Sequence, residues 1–515
     1  MIFSTIQIFA QTNWYVDKYA TGQNNGSSWS NAWKSFAAIN WGIVKGGDVI
    51  YISGGTTSTL YTETLEVPAS GSSGNPITIM KGTDSGYNGK VIIDGGGTRY
   101  NGINISGINI TIKGITLRNS SQGLIEISHS DYITVEDCEM SVYGRAGVFI
   151  QYSTGTKVRR CVIETGSNVN YQTDGIYSQY TVNDVYDHNH IVINNNDPNG
   201  HDDCIQSYQD NNLTIYSNYC EQNNSKTSNA QGIFASYPQG GTFKIYNNLV
   251  NLTYAISNGL FFREVSGYGA VEIIGNTVYG LRSTSLIRTR GVGDPIIKNN
   301  IIYSGSSSFG SSLIDWNGNT NNVDNNIIYM PNSNYTWNFN GTSKSWSQWR
   351  ALGFDANGKN VNPKFNNISG KDFSLASGSP AINAGVDLGS PFNVDIRGIK
   401  RPIGNAYDIG CYEMDSINSV DNGEINSNLD YKLSQNYPNP FNPSTTIEFD
   451  LLKSSNVQVT IYDITGKEVR TLVNGYLPIG HYSTKFDGRN LAGGIYLYRL
   501  IAGNFTQTKK MVLLK

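Results

Sequence analysis

Asp174-Gly175-Ile176-Tyr177-Ser178-Gln179 is answered one repeat later by Asp203-Cys204-Ile205-Gln206-Ser207-Tyr208, and then by Gln231-Gly232-Ile233-Phe234-Ala235-Ser236. The opening triplet recurs upstream at Asn101-Gly102-Ile103, Gln122-Gly123-Leu124 and Ala146-Gly147-Val148, and downstream at Asn258-Gly259-Leu260, Thr284-Ser285-Leu286 and Ser311-Ser312-Leu313. A second strand in each repeat carries an aliphatic residue and, three positions on, a ladder residue: Ile115, Cys138, Cys161, His188, Asn218, Asn248, Asn276, Asn300 and Asn326. Steps between these residues run from 23 to 30 positions. A unit that short holds strands and turns but no crossover helix, so each repeat reads as one coil of a solenoid.

The fold expected from this register is all-β, a right-handed parallel β-helix. Ladder residues on successive coils then stand about 4.8 Å apart, a distance at which Asn side chains hydrogen-bond along the stack. Leucine-rich repeats are the main rival, but they need a denser leucine signature, and the Asn, Gly, Ser and Tyr loading fits turns and exposed strand faces better. Alternation along the strands places Tyr177, Gln206, Phe234 and Phe261 in one outward row, and Gln179, Tyr208, Ser236 and Arg263 in the next. The expected result is an exposed aromatic and polar strip, suited to sugar rings and their hydroxyls.

Composition agrees with an extracellular chain. Among 515 residues there are 56 Gly and 33 Tyr, 15% are charged, and the formal net charge is −3, so nucleic acid is not an expected partner. The five cysteines at 138, 161, 204, 220 and 411 lack metal-ligand spacing, and their odd number argues against a fully paired disulfide framework. Cys138 and Cys161 are expected to stack inside the coil, where adjacent coils would also permit a bridge. The five dispersed histidines make a zinc site improbable, and His188 and His190 read as buried structural residues. No segment is apolar for long enough to span a bilayer. Residues 1–11, Met1 to Gln11, resemble the end of a secretory signal without its basic start, with cleavage after Ala10. A helix over Ser30 to Val44, with Trp33, Phe36, Ala37, Ile43 and Val44 near one face, is expected to plug the open end of the first coil.

Domain organisation follows from where the repeat starts and fades: a β-helix over 12–332, its cap over 333–413, a linker over 414–430, and a C-terminal module over 431–515. Gly47-Asp48-Val49-Ile50-Tyr51-Ile52, Pro76-Ile77-Thr78-Ile79 and Val91-Ile92-Ile93-Asp94-Gly95 resemble the opening coils of pectin-lyase-like β-helices. Ser379-Pro380-Ala381-Ile382-Asn383-Ala384-Gly385 and Asp408-Ile409-Gly410-Cys411-Tyr412-Glu413 resemble a closing segment of such proteins. Residues 414–430 are polar and poor in large apolar groups, so they cannot repay the entropy of ordering. The last module carries Asn436-Tyr437-Pro438-Asn439-Pro440-Phe441-Asn442-Pro443, Val459-Thr460-Ile461-Tyr462-Asp463, Gly493-Gly494-Ile495-Tyr496 and a terminal Lys509-Lys510-Met511-Val512-Leu513-Leu514-Lys515. It is similar to the C-terminal sorting domain of the type IX secretion system. The likeness implies engagement of that machinery through 431–515, and secretion or surface attachment in a Bacteroidota-like bacterium. Alternating strands with Gly and Pro turns independently predict a small Ig-like β-sandwich there. A stalk or adhesion module is the alternative.

Chemistry concentrates in consecutive coils around Asp174, Asp202 and Asp203. Three carboxylates this close need protons, a cation or a substrate. His201 stands beside them, and substrate-binding candidates on the face are Tyr177, Gln179, Gln206, Tyr208, Gln231, Phe234, Phe261, Arg288 and Arg290. Thr173-Asp174-Gly175 followed by Asp202-Asp203-Cys204 is similar to the acidic motifs of the polygalacturonase family. That resemblance implies Asp202 as general acid, with Asp174 and Asp203 holding the attacking water of an inverting hydrolysis. It departs from the family at Ala230-Gln231-Gly232, where a His is replaced by Gln231, and at Phe261-Phe262-Arg263, where one of two cations is missing. A lyase reading instead has Ca²⁺ on Asp174, Asp202 and Asp203, with Arg263, Arg288 or Arg290 removing a proton from a uronate. A third reading has Asp174 and Asp203 merely capping turns, as Asn101, Gln122 and Asn258 could, in a non-catalytic glycan-binding surface protein or adhesin. The favoured expectation is a monomeric, secreted, polysaccharide-cleaving β-helix with no cofactor unless Ca²⁺ binds.

Overall fold

The computed structural model describes residues 11–514 apart from 167–171, 196–199, 224–229, 254–257, 264–269, 282–284, 291–294, 306–312, 317–321, 332–336, 390, 415–430, 452–454, 478–479, 490 and 503–504. The expected signal remnant and most of the expected linker lie outside the described residues. The chain divides into two compact units, 1–392 with 404–413, and 393–403 with 414–515.

In the first unit, the described strands form three sheets of twelve, eleven and twelve strands, each ordered by coil. One coil runs through Lys157–Arg159 in the first sheet, Val162–Thr165 in the second and Asp174–Gln179 in the third. Each pairs in parallel with its counterpart one coil later, as Ile176 with Ile205 and Tyr177 with Gln206. The architecture is a right-handed parallel β-helix. Inward rows such as Ile125, Val148, Ile176, Ile205, Ile233, Leu260, Ile287 and Ile314 fill the interior and are wholly buried or nearly so.

Three triplets lie one residue away from the register expected of them. Gly123 pairs with Ala146, so Gly123-Leu124-Ile125 is the true counterpart of Ala146-Gly147-Val148. Ile287 and Ile314 likewise align with Leu260, in place of Leu286 and Leu313. Leu124, Leu286 and Leu313 are buried as fully as the isoleucines that follow them, and two successive inward aliphatics leave the sequence without a way to choose between them.

The tight turn between the first and second sheets contains one left-handed residue, at Arg160 (φ 52°), His188 (φ 55°), Ser217 (φ 54°), Asn247 (φ 55°), Asn299 (φ 57°) and Asn325 (φ 56°). The residue after it points inward and forms the ladder. The ladder therefore runs through Asn189, not His188, before reaching Asn218, Asn248, Asn276, Asn300 and Asn326. Asn189 donates from its backbone to Asn218 Oδ1 at 2.9 Å, and Asn218 does the same to Asn248 Oδ1 at 3.0 Å. His188 instead stands at the surface, its Nδ1 2.8 Å from Asp187 Oδ1.

The helix expected over Ser30 to Val44 is a single 3-10 turn, Phe36–Ala38, capped by the Ser35 hydroxyl. Polar side chains claim the backbone locally: Asn31 Oδ1 accepts from Gln23 N and Asn40 Oδ1 from Gly42 N, favouring turns over helix. Trp33, Phe36 and Val44 are buried at the coil end as expected, whereas Ala37 and Ile43 face solvent. The opposite end is closed by a helix, Trp346–Ala351, whose Trp349 packs with Phe354 and Trp316 in the core. The hairpin of Phe365–Asn367 and Asp372–Leu375 lies on the second sheet, with Phe373 against Tyr279 and Phe365 against Tyr303.

The second unit holds antiparallel sheets of three and four strands, ordered Tyr431–Leu433, Ser444–Leu451, Gly480–Asp487 and Glu468–Leu477, Ser455–Asp463, Gly494–Ala502, Phe505–Leu513. Ile447, Phe449, Val459, Ile461, Tyr498, Leu500 and Met511 form its core, which makes it a small β-sandwich.

Candidate active site

The turn between the second and third sheets carries a second line of buried polar side chains, at the start of several third-sheet strands. Asp174 Oδ1 accepts the backbone N–H of Asp203 at 2.8 Å, and Asp203 Oδ1 accepts that of Gln231 at 2.6 Å. Gln231 Oε1 continues the line by accepting Asn258 Nδ2 at 2.8 Å, and Asn101 Oδ1 accepts Gly123 N at 3.1 Å. An amide oxygen thus does at Asn101 and Gln231 what a carboxylate oxygen does at Asp174 and Asp203.

Asp174, Asp202 and Asp203 each have 0% exposure. Burial, then the charge of Asp203, pushes the Asp174 carboxyl well above the usual carboxylate range. Burial also raises Asp203, opposed by the charge of His201. His201, whose side chain is 32% exposed, brings Nδ1 to 3.2 Å from Asp203 Oδ2, an ion-pair distance without a well-aligned N–H. The Asp203 carboxylate raises His201 to about 9. The upward shift of Asp174 and the imidazolium beside Asp203 thus ease the repulsion between the acids.

Asp202 belongs to a neighbouring network: its Oδ1 accepts Thr173 N at 2.9 Å and Asn195 Nδ2 at 3.1 Å. Gln222 Nε2 holds the Asp202 carbonyl at 2.6 Å. Among the described residues, no group of three or more His, Cys, Asp or Glu is arranged to hold a metal ion. The Oδ1 atoms of all three aspartates accept backbone N–H groups.

The two outward rows have the expected register: Tyr177, Gln206, Phe234, Phe261 and Arg288, and beside them Gln179, Tyr208, Ser236, Arg263 and Arg290. The first row is not an exposed platform, because Tyr177, Gln206, Phe234 and Phe261 are each at most 9% exposed. Its rings stack on one another, Phe149 with Tyr177 at 5.3 Å and Phe234 with Phe261 at 5.2 Å, so their faces are already occupied. Phe234 also lies 5.2 Å from the His201 ring. Gln179 Nε2 donates to Gln151 Oε1 at 3.1 Å, extending a row of amides. Arg263 is exposed two coils beyond Asp203, over the Tyr237 ring at 5.6 Å. Arg288 lies over Phe261 and 3.3 Å from Asp315. The backbone sets Arg290 beside Arg263, and its side chain lies outside the described part. The structure therefore unites Asp174, Asp203 and His201, and places Arg263 and Arg288 on later coils.

Several neighbours escaped the sequence reading because they lie on turns without the strand period. Gln172 Nε2 bonds Gln206 Oε1 at 2.6 Å and reaches Asp174 Oδ2 at 3.4 Å. Arg145, whose carbonyl accepts Asp174 N, places its guanidinium 4.7 Å from the Phe149 ring centre and 4.5 Å from that of Tyr177. The disulfide joins Cys204 to Cys220, whereas Cys138 and Cys161 are stacked, buried free thiols. Cys204 and Cys220 belong to different sheets, so counting along one row could not pair them. His190 is buried and held neutral, its pKa lowered by burial to about 4.

Residues 101–278 match the family model of the right handed beta helix region, and residues 435–514 that of the secretion system C-terminal sorting domain. Comparison with curated proteins gives no match. Among solved structures, the chain is similar to a rhamnogalacturonan lyase, with 16% identity over 61% of this chain and 87% of the other, at a TM-score of 0.45. It is similar also to a GH136 lacto-N-biosidase from Eubacterium ramulus, with 12% identity, 59% and 68% coverage and a TM-score of 0.37. A hyperthermoactive exopolygalacturonase from Thermotoga maritima gives 11%, 58% and 81%, and 0.32. The molecule is a right-handed β-helix that carries, over residues 435–514, a secretion system C-terminal sorting domain, which supports secretion or attachment at the cell surface.

Proposed function

We propose that the chain is an extracellular polysaccharide-cleaving protein, exported by a Bacteroidota-like bacterium, and that it acts as a glycoside hydrolase at the face around Asp174, Asp203 and His201. The observation that carries this reading is the pair of buried carboxyls in a line of side chains where amides suffice. Neither fold nor ladder needs the second oxygen of Asp174 or Asp203, and burying ionisable groups is costly. His201, half-exposed and cationic at neutral pH, is placed to give a proton to a leaving glycosidic oxygen, with the Asp203 carboxylate orienting the ring. Gln151, Gln179, Gln206 and Gln172 supply amide partners for sugar hydroxyls. Under this reading Asp202 holds the turn, instead of serving as the acid that the polygalacturonase resemblance implies.

A second reading, a non-catalytic glycan binder, is favoured by the complete burial of the three aspartates. One experiment separates the readings. The purified chain is incubated with uronic-acid and neutral polysaccharides, with Ca²⁺ or chelator, while reducing ends and the ultraviolet absorbance of unsaturated products are followed. New reducing ends without absorbance, lost in His201→Gln and Asp203→Asn, support hydrolysis. Absorbance abolished by chelator supports a lyase, and binding without cleavage supports the binder.

A further inference from the structure

In four coils the position that opens the third-sheet strand from inside is a glycine packed against a β-branched residue of the next second-sheet strand along the chain. A Cβ built at Gly147 would lie 2.7 Å from Ile163 Cγ2, and at Gly232 and Gly259 it would lie 2.5 Å from Val250 Cγ1 and Val278 Cγ1. Gly175 meets Ile191 in the same way. In the one intervening coil the glycine position is Cys204, and it is bonded to Cys220 of the next second-sheet strand. The register is unambiguous: Ile176, Ile205, Ile233 and Leu260 align, and so do Ile191, Cys220, Val250 and Val278. That coil is the one whose strand begins with Asp203, the residue immediately before Cys204. Gln222, two residues after Cys220, braces the same corner through the Asp202 and Gln231 carbonyls.

We propose that the Cys204–Cys220 bond is the positioning device of the candidate active site, so that Asp203 reaches His201 and Asp174 only once the chain has been oxidised. It rests on reading Asp174, Asp203 and His201 as the reacting groups. The slot leaves no room for a Cβ in the neighbouring coils, and two linked sulfurs fill it only because the bond draws them together. Two thiols must move apart to van der Waals separation, and the start of the Asp203 strand moves with them. The remaining coils keep the parallel pairing with their own neighbours, so the solenoid persists around the disturbed turn. Closure takes two protons and two electrons from the thiols and passes them by thiol–disulfide exchange to an exogenous disulfide oxidant. Such oxidants belong to the export compartments that a sorted protein traverses.

The test uses the full chain and does not depend on glycan cleavage. His201 is titrated by NMR in the oxidised protein and in protein prepared reduced, with the thiol count established by alkylation and mass measurement. The ring is expected to titrate near 9 when oxidised and to fall toward the ordinary 6.5 when reduced, because it is above all the charge of Asp203 that holds it up. The variant Cys204→Gly/Cys220→Val copies the Gly–Val contact of the next coil and is expected to keep the high titration with or without reductant. A reduced wild-type chain that retains a His201 titration near 9 overturns the proposal. So does a double variant that folds, judged by circular dichroism, yet loses that titration under oxidising conditions. If the reduced wild-type chain loses its fold altogether, the bond supports the solenoid as a whole and the positioning role is overturned. Failure to cleave any glycan, with the titrations as expected, would sink the proposed hydrolase and leave the redox dependence of Asp203 standing.

Discussion

Two polar lines climb the same solenoid by the same device, a side-chain oxygen accepting a backbone N–H from the next coil, and they differ in what they carry. On the turn between the first and second sheets every member from Asn189 to Asn326 is an amide. Asn218 donates its Nδ2 to the Tyr186 carbonyl at 2.9 Å and to Asn248 Oδ1 at 3.0 Å, so oxygen and nitrogen are both used. The line ends on Asp355, whose Oδ1 accepts from Asn326 Nδ2 at 2.9 Å and whose Oδ2 accepts from Trp349 at 3.0 Å. On the turn between the second and third sheets, Asp174 and Asp203 occupy two rungs with groups that burial penalises. The first line is arranged for stability alone. The second holds acids where burial penalises their charge, the arrangement that motivates the proposed active site.

The largest expected effect lies on the acid line. His201→Gln and Asp203→Asn should each lower kcat/KM on a cleaved glycan by about 10²–10⁴-fold. Equal activity in wild type and variants would erase the distinction between the lines. Next in size, Asn248→Ala should destabilise the β-helix by about 2–4 kcal/mol in urea unfolding, because it strips buried partners from Asn218, Ile215 and Tyr246. The opposite sign is expected at Asp174. Its folded pKa is raised above the ordinary 3.8, so ionisation opposes folding and its cost grows as pH rises from about 4 toward the folded value. Asp174→Asn keeps the rung and should therefore gain about 1–2 kcal/mol near neutral pH and nothing below pH 4. His201, raised from 6.5 to about 9, stabilises fully below its unfolded pKa and loses that contribution as pH passes 9. Asp203→Asn should abolish this alkaline loss in melting curves. The smallest effect is at Arg145, where Gln should weaken binding of uronic-acid oligosaccharides about 5–10-fold and leave neutral ones unaffected, by calorimetry.

Much of this fold is legible in the sequence, because a solenoid writes its register in every coil. The alternation that puts Tyr177 beside Gln206 and Phe234 needs only a period of two and one aligned triplet. What was not legible depends on geometry within a turn. A single left-handed residue moves the ladder from His188 to Asn189, and two adjacent inward aliphatics at Leu124-Ile125 hide a one-residue shift. The aspartates were visible as a cluster. Their separation into an Asp174–Asp203–His201 group and an Asp202 network was not, since which oxygen meets which N–H depends on the turn backbone. The occupied faces of Phe234 and Phe261 were hidden for a similar reason: alignment one coil apart is what makes rings stack on each other, and it removes them from a ligand.

The hairpin on the second sheet has a mechanical consequence. A stack whose members touch only adjacent members melts from its ends inward, one member at a time. Lys371, at the hairpin, reaches back to Glu221 with Nζ 2.5 Å from Oε1, while Phe373 and Phe365 grip Tyr279 and Tyr303 further along. This clasp spans several coils and ties a late segment of the chain to the middle of the stack. Fraying from the C-terminal end must release the clasp before it can advance, which turns a zipper into a latch and makes the last third of the solenoid open as one cooperative block.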